Sequence, residues 1–338
     1  MNSLNLIAAG ISYLVFVNGD KMNFFLKWIE THRVNVKDNS HFRQMYENWL
    51  SNDLFIDANN RLNKTYTLGH NAFSGMSYDE YVEYNNLYDN KKENQPSLTE
   101  LKATSVDVSE LPSSWDWRTK GVVANVRDQG QCGSCWAFSG VSTLESATAI
   151  KTGTLSDLSE QQGVDCSTVK EGWQNMGCNG GWYYNLWSYV SENNGLTSET
   201  CYPYTSGTTT KTGVCQKSCK PVPNTKVLGQ VSIKPKSDTA MLNGLYVNPV
   251  SVAIEADARS FQLYKSGVYT DQQCGSSLNH AVVLTGWGTD ETGKDYYVLR
   301  NSWGTGWGDG GYMKIGRGSQ YGPTGLCGVL SDGYYPVV

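Results

Sequence analysis

All nine cysteines of this 338-residue chain lie between Cys132 and Cys327. That placement divides the chain into parts that differ in kind. The rear part can be stapled into loop-rich units, whereas the front must cohere through apolar packing alone. In an oxidising compartment an odd count leaves one thiol unpaired after the other eight have formed bridges. Cys135 is the candidate for that thiol. It sits in the stretch 129–139, Gln-Gly-Gln-Cys-Gly-Ser-Cys-Trp-Ala-Phe-Ser, where Trp136, Val141, Leu144 and Ile150 recur near helical spacing and Gly153 is placed to end the helix. A thiol in the first turn of a helix meets the positive end of the helix dipole, which favours thiolate, the nucleophilic form.

Cys-x-x-Cys also serves redox proteins and zinc sites. A zinc site needs further Cys or His ligands, usually a second close pair, and the redox motif follows a strand. Neither context is visible: Trp115, Asp116, Trp117 and Arg118 precede a Gly-containing loop, and no second Cys-x-x-Cys follows. No metal and no cofactor is expected. The length suggests two or three folding units. A net charge of −5 without blocks of like charge recommends neither nucleic acid nor an acidic membrane as partner.

Residues 4–17 form a mostly apolar run followed by Asn18 and Gly19, which reads as a signal peptide over 1–19. The run is shorter than the roughly 20 apolar residues a bilayer needs. A secreted chain, or one in a lysosomal or vacuolar lumen, is therefore expected. Behind it, Phe24, Phe25, Trp28 and Ile29 mark a short amphipathic helix, and Phe42, Met45, Tyr46, Trp49 and Ile56 a longer one. These apolar faces need a surface to cover. Residues 66–68 can form a short strand and 77–84 a further helical turn or two. The polar, aperiodic stretch 90–110, with Pro96, marks a protease-accessible linker. Asn63 heads the glycosylation sequon Asn63-Lys64-Thr65.

Beyond Leu111 the composition changes. Residues 111–225 look mainly helical, with candidate helices at 135–152, 159–165 and 182–191. Residues 226–338 look mainly β, with β-branched or alternating runs at 250–255, 281–286, 296–301 and 311–315.

A thiol nucleophile needs a base that keeps it ionised and later protonates the leaving amine. Of the four histidines, His32, His41 and His70 precede the linker, so His280 is the candidate base in the part that contains Cys135. An imidazole works best when an acceptor holds its second nitrogen, and Asn301, delivered by the strand at 296–300, is placed to do so. The indole of Trp303 can shield that contact from water. Gln129 and the Cys135 backbone N–H are candidate donors to the developing oxyanion.

These stretches resemble a known family. Residues 129–139, Asn279-His280-Ala281 and Asn301-Ser302-Trp303-Gly304 are similar to the three signatures of the papain-like cysteine proteases, in that family's chain order. Leu111-Pro112, Trp115-Asp116-Trp117-Arg118, Cys178-Asn179-Gly180-Gly181 and Gly308-Asp309-Gly310-Gly311-Tyr312 match as well, so the resemblance covers 111–338. It implies an α+β, papain-like two-domain fold: a helical left domain, an antiparallel β-barrel right domain and a cleft between them. It implies a cysteine endopeptidase working through an acyl-enzyme, with Cys135 as nucleophile, His280 as acid and base, Asn301 as its orienter and Gln129 on the oxyanion. Gly180 and Gly181 would offer backbone groups to an extended substrate. The main specificity pocket would be lined by Trp182, Tyr183, Ala253, Asn279 and Ala281, with Asp332 near its floor. Asp332 would let that pocket accept Arg or Lys beside Leu, Phe or Val.

The family pairing implies bridges Cys132–Cys178, Cys166–Cys215 and Cys274–Cys327, with Cys201 and Cys219 left to form a fourth. The segment 20–110 resembles, less closely, the mainly helical inhibitory propeptide of cathepsin L-like enzymes. Trp49, Asn52, Ile56 and Asn60 match its helix motif, while His41 and Met45 stand where Glu and Arg are usual. Gly69-His70-Asn71-Ala72-Phe73 matches its next motif, with Gly75 in place of a final Asp. The implied partners are protein and peptide substrates, the propeptide as intramolecular inhibitor, and cystatin-like inhibitors of a monomeric enzyme. Protonation of carboxylates paired across the propeptide contact would loosen it as pH falls. The alternatives are a catalytically silent peptide-binding relative and a thiol oxidoreductase using Cys132 and Cys135.

Overall fold

The computed structural model describes residues 19–87, 98–103 and 106–338. The expected signal peptide apart from Gly19, residues 88–89, and residues 90–97 and 104–105 of the expected linker lie outside the described residues.

Among the described residues the front segment holds the α-helices α1 (Gly19–Thr31), α2 (Asn39–Asn60) and α3 (Tyr78–Asn85), with the strand β1 (Tyr66–Leu68) before α3. Asp38 caps α2 by accepting the His41 N–H, and Ser77 with Glu80 forms a reciprocal capping box on α3. The apolar faces of α1 and α2 meet around Phe25, whose ring lies 5.1–5.7 Å from those of Trp28, Phe42, Tyr46 and Trp49.

The left half is built on α4 (Cys135–Thr152), α5 (Glu160–Cys166) and α6 (Tyr183–Glu192). Helix α4 is buried nearly all round because it lies between the halves. Trp136, Val141 and Leu144 enter the left core, while the small polar Ser139 and Thr143 let the opposite face approach the sheet. Ser139 Oγ donates to Val282 O at 2.8 Å, and Thr143 Oγ1 lies 3.0 Å from Ser251 Oγ. Gly153, at φ +74°, ends the helix in the left-handed conformation that glycine adopts without strain.

The right half carries β3 (Gly229–Ser232), α7 (Asp238–Val247), β4 (Val250–Ile254), β5 (Tyr264–Tyr269), β6 (His280–Thr289), β7 (Asp295–Arg300), β8 (Tyr312–Gly316) and β9 (Gly333–Val337). Sheet order is β1-β5-β8-β7-β6-β4-β9-β3, with β2 (Trp115–Asp116) beside β6. One pairing departs from the expected antiparallel pattern: β5 and β8 run parallel, so the sheet is mixed. The front segment supplies both outer layers of this sheet. On one edge β1 pairs with β5, and on the other Gln230 N donates to Thr99 O at 3.0 Å while Leu101 N donates to Gln230 O at 2.8 Å. Part of the expected linker is thus ordered by backbone pairing, which leaves no side-chain pattern to read.

Disulfides join Cys132 to Cys178, Cys166 to Cys215, Cys201 to Cys219 and Cys274 to Cys327, and Cys135 is free. No helix among the described residues is long and apolar enough to cross a membrane.

Candidate active site

The first residue of α4 and the first residue of β6 bring Cys135 and His280 to the boundary between the halves. Ser134, at the N-cap, makes no side-chain capping bond, so early amides of α4 stay available. The backbone N–H groups of Ala281, Trp136 and Cys135 itself act on the thiol in the direction of thiolate. His280 Nε2 lies 2.8 Å from Asn301 Oδ1, which also accepts the Ser302 N–H at 2.8 Å. An amide oxygen can only accept, so Nε2 carries the proton of the neutral ring. Nδ1 is buried without a hydrogen-bond partner, its lone pair left for another proton. Trp303 stacks on the imidazole at 4.7 Å between centroids and 25° between planes.

Gln129 is fixed at both ends of its amide. Nε2 donates to Cys132 O at 3.0 Å, Oε1 accepts from Ser302 Oγ at 2.7 Å, and its backbone N–H donates to Ser302 O at 2.8 Å. A preorganised amide of this kind suits an oxyanion donor.

Burial sets the charge state of the pair. It pushes the Cys135 thiol up to about 11 and the His280 imidazole down to about 4, where the Asn301 contact only partly offsets it. Both directions favour neutral thiol with neutral imidazole. Burial thus works against the thiolate–imidazolium pair expected from the sequence while the chain is in this form. Phe73 and Tyr81 meet the Trp303 ring edge-on at 5.3 and 5.7 Å, and Tyr81 OH donates to Ala256 O at 2.6 Å. Asn86 Nδ2 donates to Cys178 O at 3.3 Å and lies where any Cβ on Gly133 would stand. Among the described residues no ion pair joins the front segment to the rest. Tyrosine hydroxyls meet the carboxylates instead, Tyr66 on Asp271 and Tyr78 on Asp257, each at 3.2 Å. The paired carboxylates on which protonation could act across this contact are therefore Asp271 and Asp257, held by hydroxyls rather than by cations.

The expected substrate-binding residues are gathered on the left wall and the sheet. Gly180 has φ +107°, and a Cβ on Gly181 would strike Asn175 Oδ1. Trp182 stacks on Tyr184 at 5.3 Å. Ala253 and Ala281 face each other across β4 and β6. Tyr183 OH donates to Asp332 Oδ2 at 2.5 Å with both residues buried, an acceptor for the hydroxyl that the sequence does not announce. The Asn279 amide oxygen accepts the Ala256 N–H at 2.8 Å. Asn63 is exposed on the front segment. Among the described residues no group of three or more His, Cys, Asp or Glu is placed to hold a metal. Phe73, Tyr81 and Asn86 escaped the sequence reading as site residues; the one available signal was Phe73 at the end of the Gly69–Phe73 motif.

A single free thiol at a helix start, an amide-held imidazole and a front segment packed on Trp303 and Cys178 beside them define an autoinhibited cysteine peptidase. The chain belongs to the papain family of cysteine proteases: residues 111–337 match that family, and 25–81 match the cathepsin propeptide inhibitor domain (I29). It is 40% identical to "Probable cysteine protease RD21B" of Arabidopsis thaliana over 295 residues, 87% of this chain and 61% of that one. To ananain of Ananas comosus it is 36% identical over 323 residues, 94% of this chain and 88% of that one. The solved recombinant stem bromelain precursor superposes with a TM-score of 0.83 at 34% identity, covering 94% of this chain and 99% of that one. The chain is accordingly a papain-like cysteine endopeptidase in its proform.

Proposed function

We propose that Cys135, His280, Asn301 and Gln129 carry out peptide hydrolysis in this chain. The observation that carries the assignment is the division of labour at His280: Nε2 is committed to Asn301, while Nδ1 is buried and unpartnered. Once the front segment has left and water has entered, Nδ1 takes the Cys135 proton and the thiolate attacks the carbonyl carbon. Gln129 and the Cys135 amide receive the oxyanion. The imidazolium then protonates the leaving amine, and the same nitrogen activates the water that hydrolyses the thioester.

The division into a signal peptide at 1–19, a propeptide at 20–110 and a peptidase at 111–338, cut between 90 and 111, belongs to the same reading. So do the halves 111–225 and 226–338, a secretory, lysosomal or vacuolar lumen, a monomeric enzyme, and cystatin-like proteins as inhibitors. Asp332 is read as admitting basic side chains once its pairing with Tyr183 yields.

The test uses purified full-length protein and its Cys135→Ala variant, acidified with a reductant, following chain length and cleavage of peptides with Phe or Arg two positions before the cut. Shortening and cleavage by the parent alone are expected. If an added protease trims both and neither cleaves, the chain binds peptides without hydrolysing them.

A further inference from the structure

Outside the Cys135–His280 pair, one side chain gathers more charge than any other among the described residues. Arg127 Nη1 donates to Leu158 O at 3.0 Å and to Glu160, and Glu199 lies 3.8 Å from the same nitrogen. Arg127 Nη2 contacts Asp157 and stands 3.6 Å from Glu145. Glu145 and Glu160 are buried. Buried ion pairs of this kind contribute little net stability compared with apolar packing, but the planar guanidinium fork holds its partners in fixed directions.

The anchored elements matter here. Glu145 belongs to α4, the helix that begins with Cys135, and Glu160 opens α5. The backbone of Arg127 belongs instead to a short ladder with the segment after Asn301. Gly304 N donates to Arg127 O at 3.1 Å, Asp128 pairs with Trp303, and Gln129 N donates to Ser302 O. A second route runs from the same cluster: Glu199 accepts the Tyr204 N–H at 2.7 Å, and Tyr204 OH donates to Gln129 O at 2.7 Å and lies 2.8 Å from Ser134 Oγ. One guanidinium thus links the nucleophile's helix to the ladder that carries the oxyanion amide and the indole over His280.

We propose that Arg127 is a positioning residue for peptide hydrolysis, setting where the Gln129 amide stands relative to Cys135. The inference rests on the catalytic reading given above. Displacing an oxyanion donor lowers turnover without weakening ground-state binding. Alkylation of the thiolate by iodoacetamide needs the Cys135–His280 pair but forms no oxyanion, so it separates the two roles.

The experiment compares processed wild type, Arg127→Gln and Arg127→Lys, measuring kcat and KM on a peptide substrate and the rate of Cys135 alkylation against pH. Arg127→Gln is expected to lower kcat about 10- to 100-fold, with KM and alkylation within about twofold of wild type, and Arg127→Lys to recover part of the loss. An unchanged kcat overturns the proposal. So does an alkylation rate that falls in step with kcat, since the defect is then general loss of structure. If Arg127→Gln does not fold, Glu160→Gln, which removes one anchor at constant shape, is judged by the same two criteria. Wild type that alkylates normally yet cleaves no peptide would remove the catalytic reading itself, an outcome visible before any variant is compared.

Discussion

Acidification should loosen the front segment through His70. Its Nε2 lies 3.1 Å from Asp53 Oδ1, whose other oxygen is already held by Lys21 Nζ at 2.5 Å. The ring stacks on Trp49 at 4.4 Å and 7°, and Nδ1 is buried without a partner. Burial lowers the His70 pKa below its ordinary 6.5 despite Asp53, with Lys21 lowering it further and Asp57 acting the other way. His32 is lowered by burial and by His70. A depressed histidine makes the unfolded segment bind protons first. Stability is therefore complete above about 6.5 and declines as pH falls toward the folded values. The magnitude follows from Nδ1: a buried N–H without an acceptor costs about 1–3 kcal/mol. The Trp49 face returns about 0.5–1 kcal/mol to a cation. The remaining 0.5–2 kcal/mol, roughly, is a factor of about 2–30 in the ratio of released to docked segment. The coupling is short, because Asn71 Nδ2 donates to Gln262 O at 2.7 Å and Phe73 abuts Trp303. The assay is hydrogen exchange of residues 66–73 in full-length Cys135→Ala between pH of about 7 and 5, corrected for intrinsic rates. Protection should fall with pH in the parent and much less in His70→Gln, which keeps a donor for Asp53 but takes no proton. Equal loss in both would refute the reasoning.

Phe73→Ala should weaken docking by about 3–5 kcal/mol, because it removes a buried ring from the Trp303 face; processing at neutral pH should then speed up, and an unchanged rate counts against the contact. Tyr183→Phe removes the hydroxyl from Asp332 and should raise the ratio of Arg to Phe cleavage, while Asp332→Ala should lower it. A ratio insensitive to both excludes Asp332 from specificity. Replacing Cys201 and Cys219 by Ser opens a loop with a sequence separation of 18 and should cost about 3 kcal/mol in a denaturant titration, with kcat unchanged.

Local signals carried most of what could be read from the chain alone. The helix from Cys135 was legible because its apolar spacing and its terminating Gly153 are both written in neighbouring residues, and the strands leading to Asn301 and away from His280 because β-branched runs mark them. What stayed hidden depends on partners far along the chain. The parallel pairing of β5 with β8 follows from a chain path that no periodicity records. Asp332 looked like a charge awaiting a basic ligand because nothing near it in sequence reveals the Tyr183 hydroxyl. The burial that works against charge on Cys135 and His280 was equally invisible: a helix dipole is a local argument, whereas desolvation depends on everything the fold packs around the two side chains. Arg127 drew no notice in the sequence, because its carboxylates come from Glu145, Asp157, Glu160 and Glu199, which only the fold brings together.

The two outer layers that the front segment adds to the sheet lie on opposite sides of residues 88–97, so the place of cutting decides how many survive. A cut before Thr99 strips β1 from β5 but leaves the Thr99–Leu101 strip attached to β3, and the matured enzyme exposes one unpaired row of amides and carbonyls. A cut after Leu101 exposes two. Unpaired rows of this kind recruit strands from other chains. Enzyme trimmed at the later position should therefore be the more prone to self-associate, although both forms carry the same catalytic residues.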